Sequence, residues 1–142
     1  MAPHIHGPLY YERMGRTGPV IAFIHPNPMD QSCWIFQMAH LSTWYRCIGI
    51  DIPGYGRSPK ADAGLTMTDM AEACWEAIDD SLPGEKAILV GCSVGSSLAR
   101  ELGAEPADLC LGPFELETGR VGGIRGGNEQ GARGRTHSQG ER

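Results

Sequence analysis

An α/β fold, with a mainly parallel sheet flanked by helices, is predicted by three observations in the sequence. Short apolar runs rich in β-branched residues recur at 20–24, 47–50 and 87–90. Runs of that length and composition suit strands buried on both faces of a parallel sheet. Segments with apolar residues at helical spacing lie between them, so strands and helices alternate as they do in sheets with helical crossovers.

The elements follow in order. Leu9-Tyr10-Tyr11-Glu12 is a short strand candidate, followed by the turn signal Gly15-Arg16-Thr17-Gly18-Pro19. The strand at 20–24 stops at His25-Pro26-Asn27-Pro28, where two prolines forbid regular pairing. Cys33, Trp34, Phe36, Gln37, Met38 and Leu41 then carry a helix, with Asp30 or Ser32 as its cap. The strand at 47–50 ends at Asp51 and runs into Ile52-Pro53-Gly54-Tyr55-Gly56-Arg57-Ser58-Pro59. Thr66 or Thr68 caps a helix through Met70, Ala71, Cys74, Trp75 and Ile78, which Pro83-Gly84 terminates. The strand at 87–90 enters Gly91-Cys92-Ser93-Val94-Gly95-Ser96, and residues 97–102 continue as a helix. Residues 107–114 form a weak strand candidate, interrupted by Gly112-Pro113.

Composition divides the chain in two. Of the 20 glycines among 142 residues, eight fall in residues 119–142, with five arginines and two glutamates. That segment carries +3 and the remainder −8, which together give the net charge of −5. The expected organisation is a flexible N-terminus at 1–7, a folded domain at 8–105, an unassigned stretch at 106–118 and a disordered Gly/Arg-rich tail at 119–142. An acidic body is a poor nucleic-acid surface, and the single Arg125-Gly126-Gly127 element is thin support for RNA binding. No apolar stretch reaches the ~18 residues of a membrane span, and residues 1–7 lack a secretory pattern. The five cysteines, Cys33, Cys47, Cys74, Cys92 and Cys110, are scattered and form no C-x-x-C pair. They read as reduced thiols of a cytoplasmic protein. His4-x-His6 reads as solvated and makes a poor metal site.

Chemistry concentrates at Gly91-x-Ser93-x-Gly95, set between a buried strand and a helix. In that context the turn lifts a serine hydroxyl out of the fold on a strained backbone, and the flanking glycines avoid clashes as strand and helix close. The helix that follows directs free amides and its positive end at a reacting carbonyl, with the Val94 amide as one oxyanion donor. Cys92 as a thiol nucleophile is the competing reading, against which it is a neighbour of Ser93 on a buried strand. A phosphate-binding loop is not supported, since no Gly-Lys-Ser/Thr or Gly-x-Gly-x-x-Gly is present there.

With these landmarks the chain resembles the α/β-hydrolase superfamily. The resemblance rests on His25-Pro26-Asn27-Pro28, on Asp51-Ile52-Pro53-Gly54-Tyr55-Gly56-Arg57-Ser58 and on the elbow at Ser93, in the family's order and across residues 8–103. It implies a serine hydrolase acting on an ester-like or acyl bond of a small molecule, with no metal or organic cofactor. Ser93 would be the nucleophile, Val94 one oxyanion donor and the loop at His25 the source of the second. Pro26 stands where the family usually has glycine, and proline has no amide hydrogen, so Asn27 is the best candidate donor. His25, Gly91 and Gly95 would support the site, and Asp51 and Arg57 would fix their loop. The His-x-Asn-Pro pattern also resembles haloalkane dehalogenases, which use an aspartate nucleophile. Serine at position 93 points to acyl chemistry instead.

The resemblance also implies an acid and a histidine after the nucleophile. After Ser93 the only histidine is His137, within the tail, and Asp108, Glu115 and Glu117 are the acids between them. The triad acid and histidine are therefore unassigned. A whole fold of this type takes roughly 250 residues, so the chain reads as a truncation or an altered frame of low or no activity. The alternative is a non-catalytic fragment or pseudoenzyme that acts by binding and self-associates through an unpaired sheet edge. Trp34, Phe36, Trp44 and Trp75 are expected in the core, with Trp34 and Met29 also able to line the pocket mouth; His40 is expected at a helix end or in the core.

Overall fold

The computed structural model describes residues 4–104, together with the backbone of 110–117 and 120–121. Six strands form one mixed sheet. They are β1 (Tyr11–Met14), β2 (Val20–Ile24), β3 (Arg46–Ile50), β4 (Ala87–Cys92), β5 (Cys110–Glu117) and β6 (Arg120–Val121), in the spatial order β1-β3-β2-β4-β5-β6. The four inner strands are parallel, and β1 and β6 run antiparallel at the edges. A 3-10 turn (Gln31–Trp34) leads into α1 (Ile35–Leu41); α2 (Met67–Ser81) and α3 (Val94–Ala104) complete the helices.

The apolar run of β2 is explained by its central place. All five of its residues are buried, because β3 and β4 flank it and both faces are covered. Side chains alternate across the sheet. Val20, Ala22 and Ile24 join the larger core, which includes Ile48 and Ile50 of β3 and the inner sides of α2 and α3. Ile21 and Phe23 point the other way, into a smaller core with Cys47, Trp34 and Met38.

Helix α2 buries Ala71, Cys74 and Ile78, spaced by three and four residues, so one stripe faces the sheet. Thr66, rather than Thr68, begins it. Its hydroxyl accepts the Asp69 N–H while the Asp69 carboxylate accepts the Thr66 N–H, so each closes an orphan donor of the other. Trp75 sits beside α3 and donates its Nε1–H to the Leu102 carbonyl at 3.0 Å.

Helix α1 differs from its sequence reading. Its buried line is Trp34 and Met38, with Leu41 partly covered, while Phe36 is 82% exposed and Trp44 59% exposed. Phe36 lies two residues, about 200° around the helix, from Trp34 and so cannot share its face. His40 lies in the last turn of α1 and is exposed. The segment read as a flexible N-terminus is described from His4 onward. There Ile5 is buried and bridges Ala61, and His6 Nε2 meets the Asp62 carboxylate at 2.7 Å. Strand β5 overlaps the weak candidate at 107–114, of which 107–109 lie outside the described residues. Its register against β4 slips by one residue beside Ala87, and among the described residues no strand pairs with Pro113 on the β6 side, where its missing N–H is tolerated. Apart from β6, the Gly/Arg-rich segment lies outside the described residues.

Helix α3 is pressed directly onto the sheet. A Cβ on Gly91 would stand 2.1 Å from the Gly95 carbonyl oxygen, and a Cβ on Gly95 would stand 2.3 Å from the carbonyl oxygen of Ile24. These atoms are backbone and cannot rotate aside.

Two outcomes are expected. Gly95→Ala lowers stability by about 3 kcal/mol through forced displacement of α3, read as the shift in urea midpoint; an unchanged midpoint would show that the contact can relax. Thr66→Ala costs about 1 kcal/mol by the same measurement. The Thr66 hydrogen bonds also hold the Asp69 carboxyl below its usual range. A lowered folded value stabilises above the ordinary Asp value near about 3.9 and is lost as pH falls through the folded value. The difference in melting temperature between the parent and Asp69→Ala should therefore shrink from about pH 6 to about pH 3, and a constant difference would exclude the carboxylate as its source.

Candidate active site

Ser93 stands at the turn between β4 and α3. Among the described residues it is the only one other than glycine with a left-handed backbone, at φ 56°, and it is exposed. A non-glycine residue is seldom found there unless its surroundings impose the conformation. Here they do, because the strand must turn into a helix within one residue while Gly91 and Gly95 are in backbone contact. The Ser93 carbonyl accepts the Ser96 N–H at 2.9 Å, which starts the helix. Ser96, buried, closes the turn from below by donating its hydroxyl to the Gly91 carbonyl at 3.0 Å. Sequence reading missed Ser96, since nothing in a Gly-Ser pair announces which way the hydroxyl will face.

The loop after β2 lies beside this turn. Ile24 is in register with Gly91, and Gly95 abuts the carbonyls of both Ile24 and His25. Residues 26–28 therefore leave the sheet next to Ser93 and the first turn of α3. The Asn27–Pro28 peptide is cis. Val94 opens α3, and the first N–H groups of a helix have no partner within it. Neither the Val94 amide nor the Asn27 amide donates to another group among the described residues.

His25 is fully buried and both its ring nitrogens are engaged. Nε2 accepts the Ile52 N–H at 3.0 Å, so Nδ1 carries the proton and donates it to the Pro26 carbonyl at 2.9 Å. An imidazole held in this way ties two loops together and has no free nitrogen to take a proton from Ser93. Asp51 does similar work one layer away. Buried, it accepts the Gln31 N–H on Oδ1 at 2.8 Å and the Arg57 N–H on Oδ2 at 2.9 Å. Its backbone carbonyl accepts the Ser58 hydroxyl. Arg57 lays its guanidinium 4.9 Å over the Tyr10 ring. Both residues brace the loop at 51–58.

The four described cysteines pack against the two cores. Burial pushes the Cys74 thiol up to about 12, and burial followed by the nearby Asp30 charge pushes Cys33 up to about 11. Burial also raises Cys47. Cys92 is half-buried on β4, against the smaller core. Trp34 is buried too deeply to line a mouth, whereas Met29 is half-exposed on the loop beside Asn27. A cavity of about 730 Å³ lies between α2 and α3, with Ala71, Trp75 and Ile78 in its wall. None of the site residues lines it. His137, Asp108 and the side chains of Cys110, Glu115 and Glu117 lie outside the described residues. No helix among the described residues is long and apolar enough to cross a membrane.

Comparison with known proteins agrees with this geometry. A family model described as the alpha/beta hydrolase fold matches residues 19–112. A haloalkane dehalogenase of Mesorhizobium japonicum is 31% identical over 115 residues, which cover 81% of this chain and 37% of that protein. Among solved structures, an esterase from a marine microorganism superposes with a TM-score of 0.71 at 26% identity, covering 76% of this chain and 41% of its own. An epoxide hydrolase from an endophytic Streptomyces gives 0.69 at 29% identity, covering 75% and 33%. The chain thus spans well under half the length of each. Family model, relative and solved structure agree, and the chain belongs to the α/β-hydrolase superfamily, its described residues forming the N-terminal region of that fold.

Proposed function

We propose that the chain is of the serine-hydrolase type and acts on an ester-like or acyl bond of a small molecule. The observation that carries this reading is the exposed Ser93 at φ 56°, wedged between two glycines at a strand-to-helix turn. The relatives include dehalogenase, esterase and epoxide hydrolase. The side chain at the elbow chooses among chemistries. A serine hydroxyl adds to a carbonyl and makes an acyl-enzyme that water resolves.

In the proposed step, the Ser93 oxygen attacks the carbonyl carbon and the carbonyl oxygen becomes an oxyanion. The Val94 and Asn27 amides donate to it, aided by the positive end of α3. Collapse expels the alcohol, which needs a proton. That proton must come from Ser93 through a general base, and His25 cannot serve because both its ring nitrogens are bonded. With no base for Ser93 assigned among the described residues, we propose low turnover, with the catalysis that an oxyanion hole and binding alone supply, ~10³ to 10⁴ over water. The substrate would be a small molecule, with no metal or organic cofactor and a cytoplasmic setting.

A second reading, a binding-only fragment that self-associates, is favoured by one observation. The outer side of α1 exposes Ile35 and Phe36, with Trp44 just beyond the helix, while Ile88, Val90 and Cys92 of β4 stay half-open on the same side of the sheet.

A fluorophosphonate probe is expected to modify Ser93 slowly, located by peptide mass, and Ser93→Ala should abolish the label. Modification at another residue would remove Ser93 as nucleophile. With a chromogenic short-chain ester, ordinary esterase rates that vanish in Ser93→Ala would refute the low-turnover assignment. Sedimentation is expected to show association weakened by Phe36→Ser, and a monodisperse monomer would dismiss the second reading.

A further inference from the structure

We propose that Tyr55 is the positioning residue of the oxyanion loop, acting by holding Asn27. The proposal rests on the reading of Asn27 as a donor. The loop after β2 has proline on both sides of that residue, and proline has no N–H. Across 26–28 the chain therefore offers a single main-chain donor, the Asn27 amide. Its direction is the direction of one peptide plane on an exposed loop.

That plane is held at the Pro26 carbonyl by His25 Nδ1 at 2.9 Å and by the Met29 N–H at 3.0 Å, and Asn27 itself is tied down by a side chain 28 positions away. The Tyr55 hydroxyl donates to Asn27 Oδ1 at 2.7 Å. Tyr55 is itself well anchored. Its ring packs edge-on to His25 with centroids 5.7 Å apart, and it touches the larger core. Its N–H reaches the Ile52 carbonyl at 3.1 Å, and its own carbonyl takes the Ser58 N–H at 3.0 Å. The loop that presents it is held by Asp51, over which Gly56 fits only because it has no side chain: a Cβ there would stand 2.1 Å from Asp51 Oδ2. His25 fixes the root of the donor loop and Tyr55 fixes its tip. Tyr55 touches no reacting atom. It acts through Asn27, and misdirection of a catalytic group by about 1 Å can cost up to ~10²-fold in rate.

The test uses the whole chain and two measurements. The first is the rate of fluorophosphonate modification of Ser93 in the parent, Tyr55→Phe, Asn27→Ala and the double variant. Each single change is expected to slow modification about tenfold. The double variant should be no slower than the slower single, because both changes break the same bond. Effects that multiply would overturn the proposal, since a loss of general stability has no reason to stop at Asn27. The second measurement is the backbone ¹⁵N order parameter of Asn27. It should fall in Tyr55→Phe from about 0.85 toward about 0.6 while β2 and β4 keep their values. An Asn27 that stays as ordered as in the parent overturns the proposal whatever the labelling shows. If the parent is not modified at Ser93 but the order parameter falls, the clamp stands and the hydrolase reading fails.

Discussion

Backbone lies against backbone where β4 turns into α3, and the rest of the site depends on that contact. Gly91 meets the Gly95 carbonyl, and Gly95 meets the carbonyls of Ile24 and His25. The helix can sit this low only if neither position carries a Cβ. Once it does, the single residue that completes the turn is driven to φ 56° and its side chain has nowhere to go but outward. The same contact brings the end of β2 beside the first amides of α3. One packing constraint therefore exposes the hydroxyl and sets both candidate donors near it.

A second layer keeps this arrangement from relaxing. His25 and Asp51 are polar groups buried in a small domain, a costly placement unless every hydrogen-bonding atom is met. Both are met mainly by backbone groups of neighbouring loops. Backbone partners cannot swing away as side chains can, so each group becomes a fixed tie. His25 joins the loop after β2 to the loop after β3, and Asp51 joins the 3-10 turn to the loop at 51–58. The strand ends are thus bound to one another across the rim of the sheet where Ser93 stands.

Much of this was legible in the sequence, and the reasons for the misses are physical. The five-residue run of β2 gave its burial on both faces, because few other positions in a sheet accept apolar residues without alternation. The elbow was legible because Gly-x-Ser-x-Gly states a backbone demand. Phe36 was misplaced by counting apolar residues near Trp34 instead of their angle around the helix. Choosing Thr66 over Thr68 needed the capping partner, which Asp69 supplies three residues on. The hydrogen bond between Tyr55 and Asn27, and the hydroxyl of Ser96 beneath the turn, depend on tertiary placement and left no local mark.

Positioning and activation of a nucleophile are separable tasks. Everything that shapes the turn at Ser93 comes from three strand ends and the helix that follows, all within residues 20–104 and all through short-range contacts. A general base is different. His25, whose carbonyl meets Gly95, is already used to hold the rim and cannot be that base. A fold can therefore complete its strained turn and donor loop without a proton acceptor in place. The strain at Ser93 is then maintained by packing of the larger core beneath it, not by the reaction it would serve. For that reason an exposed serine at positive φ speaks first about how strand and helix close, and about chemistry only when a base is shown to reach it.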